Sequence, residues 1–231
     1  MTDAAPSPIL VFDLDGTLVD TAPDLLDALN HALATAELPA VDPLGMRAHA
    51  GRGGRVMLQQ AFQAHSRDVA ADELERLLET FLKHYTDGIP GRSRPYPGVL
   101  AALDRFEAEG FIFAVCTNKF ETLARALTGA LEIDGRFRAI CGADTVAFRK
   151  PDPRHLTETI RLAGGSPDRA VMIGDSRTDI DAAKAAGIPV VAVDFGYTDR
   201  HVREFEPSRV ISHYDELTLA MVEDLLAGAA A

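Results

Sequence analysis

Five short apolar runs, each stopped abruptly by small or acidic residues, constrain this chain more than any other feature. Ile9-Leu10-Val11-Phe12 ends in DLDGT, FIFAVC (111–116) in TNK, FRAIC (137–141) in GAD, AVMI (170–173) in GDS and PVVAV (189–193) in DFG. Continuous apolar runs of this kind are strands buried on both faces, and a sharp polar stop marks the carboxyl edge of a parallel sheet. Helical patterns separate them over 98–109, 120–131, 153–163 (entered through Pro-Asp-Pro) and 178–186 (closed by Gly187). Strand and helix therefore alternate, which predicts an α/β fold with a doubly wound, Rossmann-like, mainly parallel sheet.

One interval breaks the alternation. Between about Asp20 and Arg94 there is no strand signal, only helical patterning around 24–36, 56–65 and 72–86. The spacing predicts an all-helical cap over 20–93 inserted into a core formed by 1–19 and 94–231. Ligands of open α/β sheets bind beyond the carboxyl ends of the strands, so an insertion at the first strand's terminal loop would lie over the site as a lid. The Ala-rich end (226–231) is expected to fray.

Length and charge narrow the function. A chain of 231 residues suits one large domain or a domain with a sizeable insertion. Its formal net charge of −12 repels nucleic-acid phosphates and anionic lipid. Cys116 and Cys141 each lie in an apolar run and read as small buried hydrophobes, not as a disulfide framework or a thiolate metal site. No basic leader or bilayer-length apolar stretch is evident, so a soluble, cytoplasmic protein is expected, a monomer or homodimer acting on a small molecule.

If the sheet is right, its carboxyl edge gathers Asp13, Asp15, Thr117, Asn118, Lys150, Asp175 and Asp179. Carboxylates, a hydroxyl and a lysine converging at one edge make a poor core and a good metal-phosphate site. Asp13 and Asp15, two apart in an extended terminus, share a face while Leu14 points away. Their repulsion calls for a cation, and oxygen-only ligands suit Mg2+ held by Asp13, Asp15, Asp175 and Asp179. Phosphate monoesters hydrolyse extremely slowly unaided, so catalysis needs a positioned nucleophile and cancellation of phosphoryl charge. Asp13 can attack phosphorus to give an aspartyl-phosphate. Asp15 can protonate the leaving alkoxide and then activate water. Lys150 and the metal balance charge, Thr117 donates a hydrogen bond, and Asp179 orients Lys150 or a metal-bound water. As bland alternatives, Asp13 and Asp15 could cap a turn, and Thr117 and Asn118 could be helix N-caps.

VFDLDGTLVD (11–20), VCTNK (115–119), RKPDP (149–153) and GDSRTDI (174–180) together resemble the four motifs of the haloacid dehalogenase superfamily, in order and across nearly the whole chain. The insertion resembles the helical cap type, and DLDGTLVDTAPDLLDALN (13–30) is most similar to the phosphoglycolate phosphatases. That resemblance implies a magnesium-dependent phosphatase with Asp13 as nucleophile and Asp15 as acid/base. It also implies a metal held by Asp13, the backbone carbonyl of Asp15 and Asp175.

In the cap, AGRGGRV (50–56) is the candidate substrate loop, where Arg52 or Arg55 could grip a carboxylate; a flexible solvated turn explains it equally. Lys83, His84 and Tyr85 read as an ordinary helix end. The leading expectation is hydrolysis of a small phosphomonoester, 2-phosphoglycolate first. A sugar-phosphate mutase and a non-catalytic phosphoacceptor module are the alternatives, and Asp15 beside the acceptor argues against the latter.

Overall fold

The computed structural model describes residues 6–229. In chain order the elements are β1 (Ile9–Phe12), β2 (Val19–Asp20), α1 (Ala22–Thr35), α2 (Pro43–Arg47), α3 (Gly54–Ala64), α4 (Ala71–Gly88), β3 (Arg94–Pro95), α5 (Val99–Ala108), β4 (Ile112–Cys116), α6 (Glu121–Ala130), β5 (Phe137–Cys141), α7 (Pro153–Leu162), β6 (Ala170–Gly174), α8 (Arg177–Ala185), β7 (Val190–Val193), β8 (Arg209–Ile211) and α9 (Leu219–Ala229). Six strands form one parallel sheet in the order β5-β4-β1-β6-β7-β8. All five expected strands are present within a residue or two, with β1 central.

The two-residue period of a strand explains the two layers of helices. Leu10 and Phe12 of β1, Phe113 and Val115 of β4, Val171 and Ile173 of β6, and Val191 and Val193 of β7 share one core with α5, α6 and α9. The intervening residues Ile9, Val11, Ala114, Cys116, Ala170, Met172, Val190 and Ala192 pack with α7 and α8 on the opposite face. Every strand end therefore reaches the same edge with its apolar run spent, and the polar residues that follow have no core to enter.

The insertion has its own apolar cluster. Leu25, Leu29 and Leu33 of α1 pack with Met57, Leu58 and Phe62 of α3 and with Leu77 and Phe81 of α4. Two features depart from the sequence expectation. Val19 pairs with Pro95 and Asp20 with Arg94, so a two-stranded antiparallel ribbon lies at the borders of the interval that was expected to hold no strand. Two residues per strand are too few to show a period, which is why the pattern is silent there. The Ala-rich end is helical through Ala229, with α9 docked through Val222 and Leu225; Ala230 and Ala231 of that stretch, and residues 1–5, lie outside the described residues. Among the described residues no helix is long and apolar enough to cross a membrane.

Leu29 lies at the centre of the inserted cluster with no exposed surface. Leu29→Ala is expected to destabilise the protein by about 2–5 kcal/mol, the usual penalty for truncating a buried leucine. Denaturant unfolding followed by circular dichroism measures it; an unchanged midpoint would mean that the insertion does not unfold with the core.

Candidate active site

The site begins where β1 ends. The Asp13 amide donates to the carbonyl of Ile173 (2.9 Å), carrying the β1–β6 ladder one residue beyond the strand. Leu14 turns into the core, and a tight loop closes through Gly16 and Val19. Gly16 has φ +80°, and a Cβ there would stand 2.4 Å from Oδ2 of Asp175; one on Gly196 would stand 2.3 Å from the same oxygen. Glycine at both positions lets two backbones close around one carboxylate.

Asp13, Asp175 and Asp179 each offer an oxygen within 4.8 Å of the others, and all three are buried. The Lys150 ammonium, fully enclosed, contacts Asp13 Oδ1 at 3.0 Å and Asp179 Oδ1 at 2.7 Å. The other Asp179 oxygen accepts from the Ser176 amide (3.0 Å) and hydroxyl (2.6 Å), which caps α8. Asp175 accepts from the Thr17 hydroxyl (3.0 Å) and the Tyr197 amide (2.6 Å). Burial pushes the Asp13 carboxyl up to about 6; Lys150 opposes this, and Asp179 and Asp15 add to it. Burial, then the charges of Asp179 and Asp13, hold Asp175 well above the carboxylate range.

Three carboxylates against one ammonium leave two negative charges uncompensated, which is the charge of a divalent cation. The donor set is oxygen only and buried, and the carboxyls of Asp13 and Asp175 are raised first by burial and then by neighbouring carboxylate charge, which a cation would offset. These residues fit a hard metal ion. The Asp15 carboxylate is not in the cluster. Both of its oxygens face the Lys119 ammonium, at 3.0 and 3.1 Å. Each carboxylate of the pair thus has its own lysine, whereas the sequence reading put a single cation between them.

A cleft of about 520 Å³ opens between sheet edge and insertion. Asp13, Asp15, Thr117 and Asn118 line it from the core, and Arg52, Arg55 and Tyr85 from the insertion. The Thr117 hydroxyl oxygen accepts from the Lys119 amide (3.2 Å), leaving its proton to donate elsewhere. The Asn118 side chain donates to the Lys150 carbonyl (2.9 Å), tying the two loops together. Neither residue caps a helix, because α6 begins at Glu121 with Phe120 as its N-cap. Arg55 is engaged by both oxygens of Glu75, while Arg52 is exposed at the rim with no ion pair among the described residues.

Sequence reasoning missed four contributors. Lys119 and Thr17 close motifs already noted, but no role was given to either. Tyr85, read as part of a helix end, is buried with its hydroxyl 2.9 Å from the Lys119 ammonium. Tyr197 reaches from the loop after β7 to Asp20 (2.5 Å) and accepts from the Ala22 amide (2.8 Å), and Arg47 pairs with the same Asp20. No local pattern marks a tyrosine whose partners lie far along the chain.

The haloacid dehalogenase-like hydrolase family matches residues 10–193, from within β1 to the end of β7. The chain belongs to that family. It is 65% identical over 222 residues to a phosphoglycolate phosphatase of Mesorhizobium japonicum, covering 96% of this chain and 98% of the relative. A phosphoglycolate phosphatase of Agrobacterium fabrum is 46% identical over 231 residues, covering 100% and 99%. The crystal structure of a predicted phosphoglycolate phosphatase from Haemophilus somnus superposes with a TM-score of 0.85 at 29% identity, covering 91% of this chain and 96% of that one.

In this haloacid dehalogenase-like hydrolase the loop that carries Lys150 rests on a buried histidine. The Lys150 amide donates to Nδ1 of His155 (3.3 Å), and burial, with the Lys150 charge, lowers the His155 pKa to about 4. The unfolded chain takes up that proton near pH 6.5 and the folded one refuses it, so stability falls as pH drops from about 6.5 towards 4. The whole effect is on the order of 3 kcal/mol. His155→Asn, which keeps an acceptor, is expected to flatten this part of the pH profile in denaturant titrations at pH 7, 5.5 and 4.5. Parallel profiles for the two proteins would contradict it.

Proposed function

We propose that this chain is a magnesium-dependent phosphatase that cleaves 2-phosphoglycolate to glycolate and phosphate through an aspartyl-phosphate on Asp13. The observation that carries the reading is a carboxylate, Asp13, held between a buried lysine and a cluster of acids while it lines the same cleft as Asp15. The substrate is taken from the named activity of the 65% identical relative. Segments 1–19 and 94–231 form the catalytic core domain and 20–93 the cap domain.

Asp13 attacks phosphorus with the oxygen that Lys150 does not neutralise, and the alkoxide leaves with a proton from Asp15. Asp15, then a carboxylate, takes a proton from the water that cleaves the aspartyl-phosphate. Thr117 donates to a phosphoryl oxygen, and Asn118 fixes the loop that presents Lys150. Asp13, the backbone carbonyl of Asp15 and Asp175 hold the metal, with Asp179 orienting Lys150. Magnesium, when bound, cancels charge on the phosphoryl oxygens and on the acidic cluster. Arg52 at the mouth of the cleft draws the anion in, whereas Arg55 beside it is held by Glu75 and serves only if that pair opens. On this reading the enzyme works in the cytoplasm, as a monomer or homodimer, on a small metabolite and not on nucleic acid or membrane.

Phosphate release from 2-phosphoglycolate, hexose phosphates and nucleotides tests the reading, each with magnesium and with a chelator. The two-carbon phosphoacid is expected to lead and the chelator to stop turnover. Conversion of a hexose 1-phosphate to the 6-phosphate without free phosphate would make the enzyme a mutase instead. Asp13→Asn is expected to abolish turnover, while Asp15→Asn lowers it by about 10²–10⁴-fold, the usual contribution of a general acid/base, and still forms some aspartyl-phosphate. Small and equal losses in both variants would remove the assigned roles.

A further inference from the structure

The Lys119 ammonium stands at the inner end of the cleft. It is almost enclosed, with 5% of its side chain exposed, and it bridges both oxygens of Asp15 to the hydroxyl of Tyr85. Burial alone would lower its pKa, but the Asp15 charge and the Tyr85 hydroxyl more than offset that and keep the ammonium charged. Its three N–H donors meet the two Asp15 oxygens and the Tyr85 hydroxyl, and an Asp15 that carries the proton for the leaving oxygen would give up one of those contacts and release a donor. Tyr85 is equally well placed. Its oxygen accepts from Lys119 and its own hydroxyl proton has no acceptor among the described residues, although the side chain is only 3% exposed. Burial raises the phenol above its ordinary value, so it keeps that proton. Two donors, one from each side of the cleft, thus lie beside the carboxylate that would protonate a leaving oxygen.

We infer that Lys119 and Tyr85 form a carboxylate clamp that selects substrates with an acid group two bonds from the leaving oxygen. The inference rests on the phosphatase reading above and deepens it. With ordinary C–C and C–O bond lengths, such a carboxylate lies within about 3–4 Å of the leaving oxygen. That matches the 3.0 Å from Asp15 to the Lys119 ammonium. A longer spacer would carry the acid past the clamp, and with a neutral substituent the buried ammonium would have no counter-charge once Asp15 carries the proton for the leaving oxygen. The remaining cations of the lining are worse placed: Arg52 and Arg149 are exposed, and Arg55 is occupied by Glu75. Because Tyr85 belongs to α4 and Lys119 to the loop after β4, the clamp is complete only when the insertion is closed over the sheet.

The test is the ratio of kcat/KM on 2-phosphoglycolate to that on 2-hydroxyethyl phosphate, which has the same two carbons and no carboxylate. A ratio cancels any common effect on Asp15 or on folding. The wild type is expected to favour the acid strongly; Lys119→Gln should cut the ratio by about 10–100-fold and Tyr85→Phe by about tenfold, the range for hydrogen bonds to a charged group. The loss should fall mainly on KM. A wild-type preference that survives in both variants overturns the clamp alone. A wild type that hydrolyses both substrates equally overturns the substrate reading, and the clamp with it.

Discussion

A single ammonium group, that of Lys150, holds the site together. It is fully enclosed and touches Asp13 and Asp179, which come from the loop that follows β1 and from α8. A charge so placed is tolerable only if its partners are fixed within hydrogen-bond distance, since a buried ion without them costs several kcal/mol. Three distant stretches of chain must therefore meet at one point. Asp179 serves both ends, because its second oxygen caps the helix it belongs to and so sets where that helix starts. The carboxylates in turn need the lysine, yet exceed it in number, which leaves the site short of positive charge until a cation joins it and makes room for an anionic phosphoryl group. Stability of the fold and readiness for an anionic substrate thus depend on the same imbalance.

The insertion is anchored to that imbalance at two points. Tyr197 gives its amide to Asp175 and its hydroxyl to Asp20, at the ribbon where the insertion begins. Arg47 lies against the Tyr197 ring, 5.0 Å from its centroid, and pairs with the same aspartate. On the far side Tyr85 meets Lys119. A movement of the inserted helices that broke the second contact would leave the first in place, beside the acidic cluster.

The core was legible because buried parallel strands are written as local apolar runs, and their polar stops fall at the same edge of the sheet wherever they lie in sequence. Asp13, Thr117, Lys150 and Asp175 could be placed from that rule and from four motifs. The pieces that were not legible are either too short to carry a period, as with Val19–Asp20, Arg94–Pro95 and Arg209–Ile211, or depend on one long-range contact. Tyr85 ends a helix whose pattern is fully explained by its apolar face, and nothing local tells that its hydroxyl meets a lysine 34 residues on. The Arg52–Arg55 loop drew attention through its glycines and arginines, but the sequence could not reveal that Glu75, on another helix, engages Arg55.

This split has a physical origin. Cancelling charge on a phosphoryl group is the same task for any monoester, so it is met by groups fixed at the sheet edge and recurs as motifs. Choosing among leaving groups needs contacts that differ from one substrate to the next, and these come from the inserted helices and from residues beside the motifs. The cleft reflects this in its lining. One end carries Asp13, Asp15, Thr117 and Lys119, whereas the walls towards the insertion are Leu25, Leu78, Leu82, Phe120 and Leu123. Apolar walls beside a charged end displace water from a short substituent and strengthen the ionic contacts inside. A small phosphoacid whose two charged ends both fall at the polar end gains most from such a cleft.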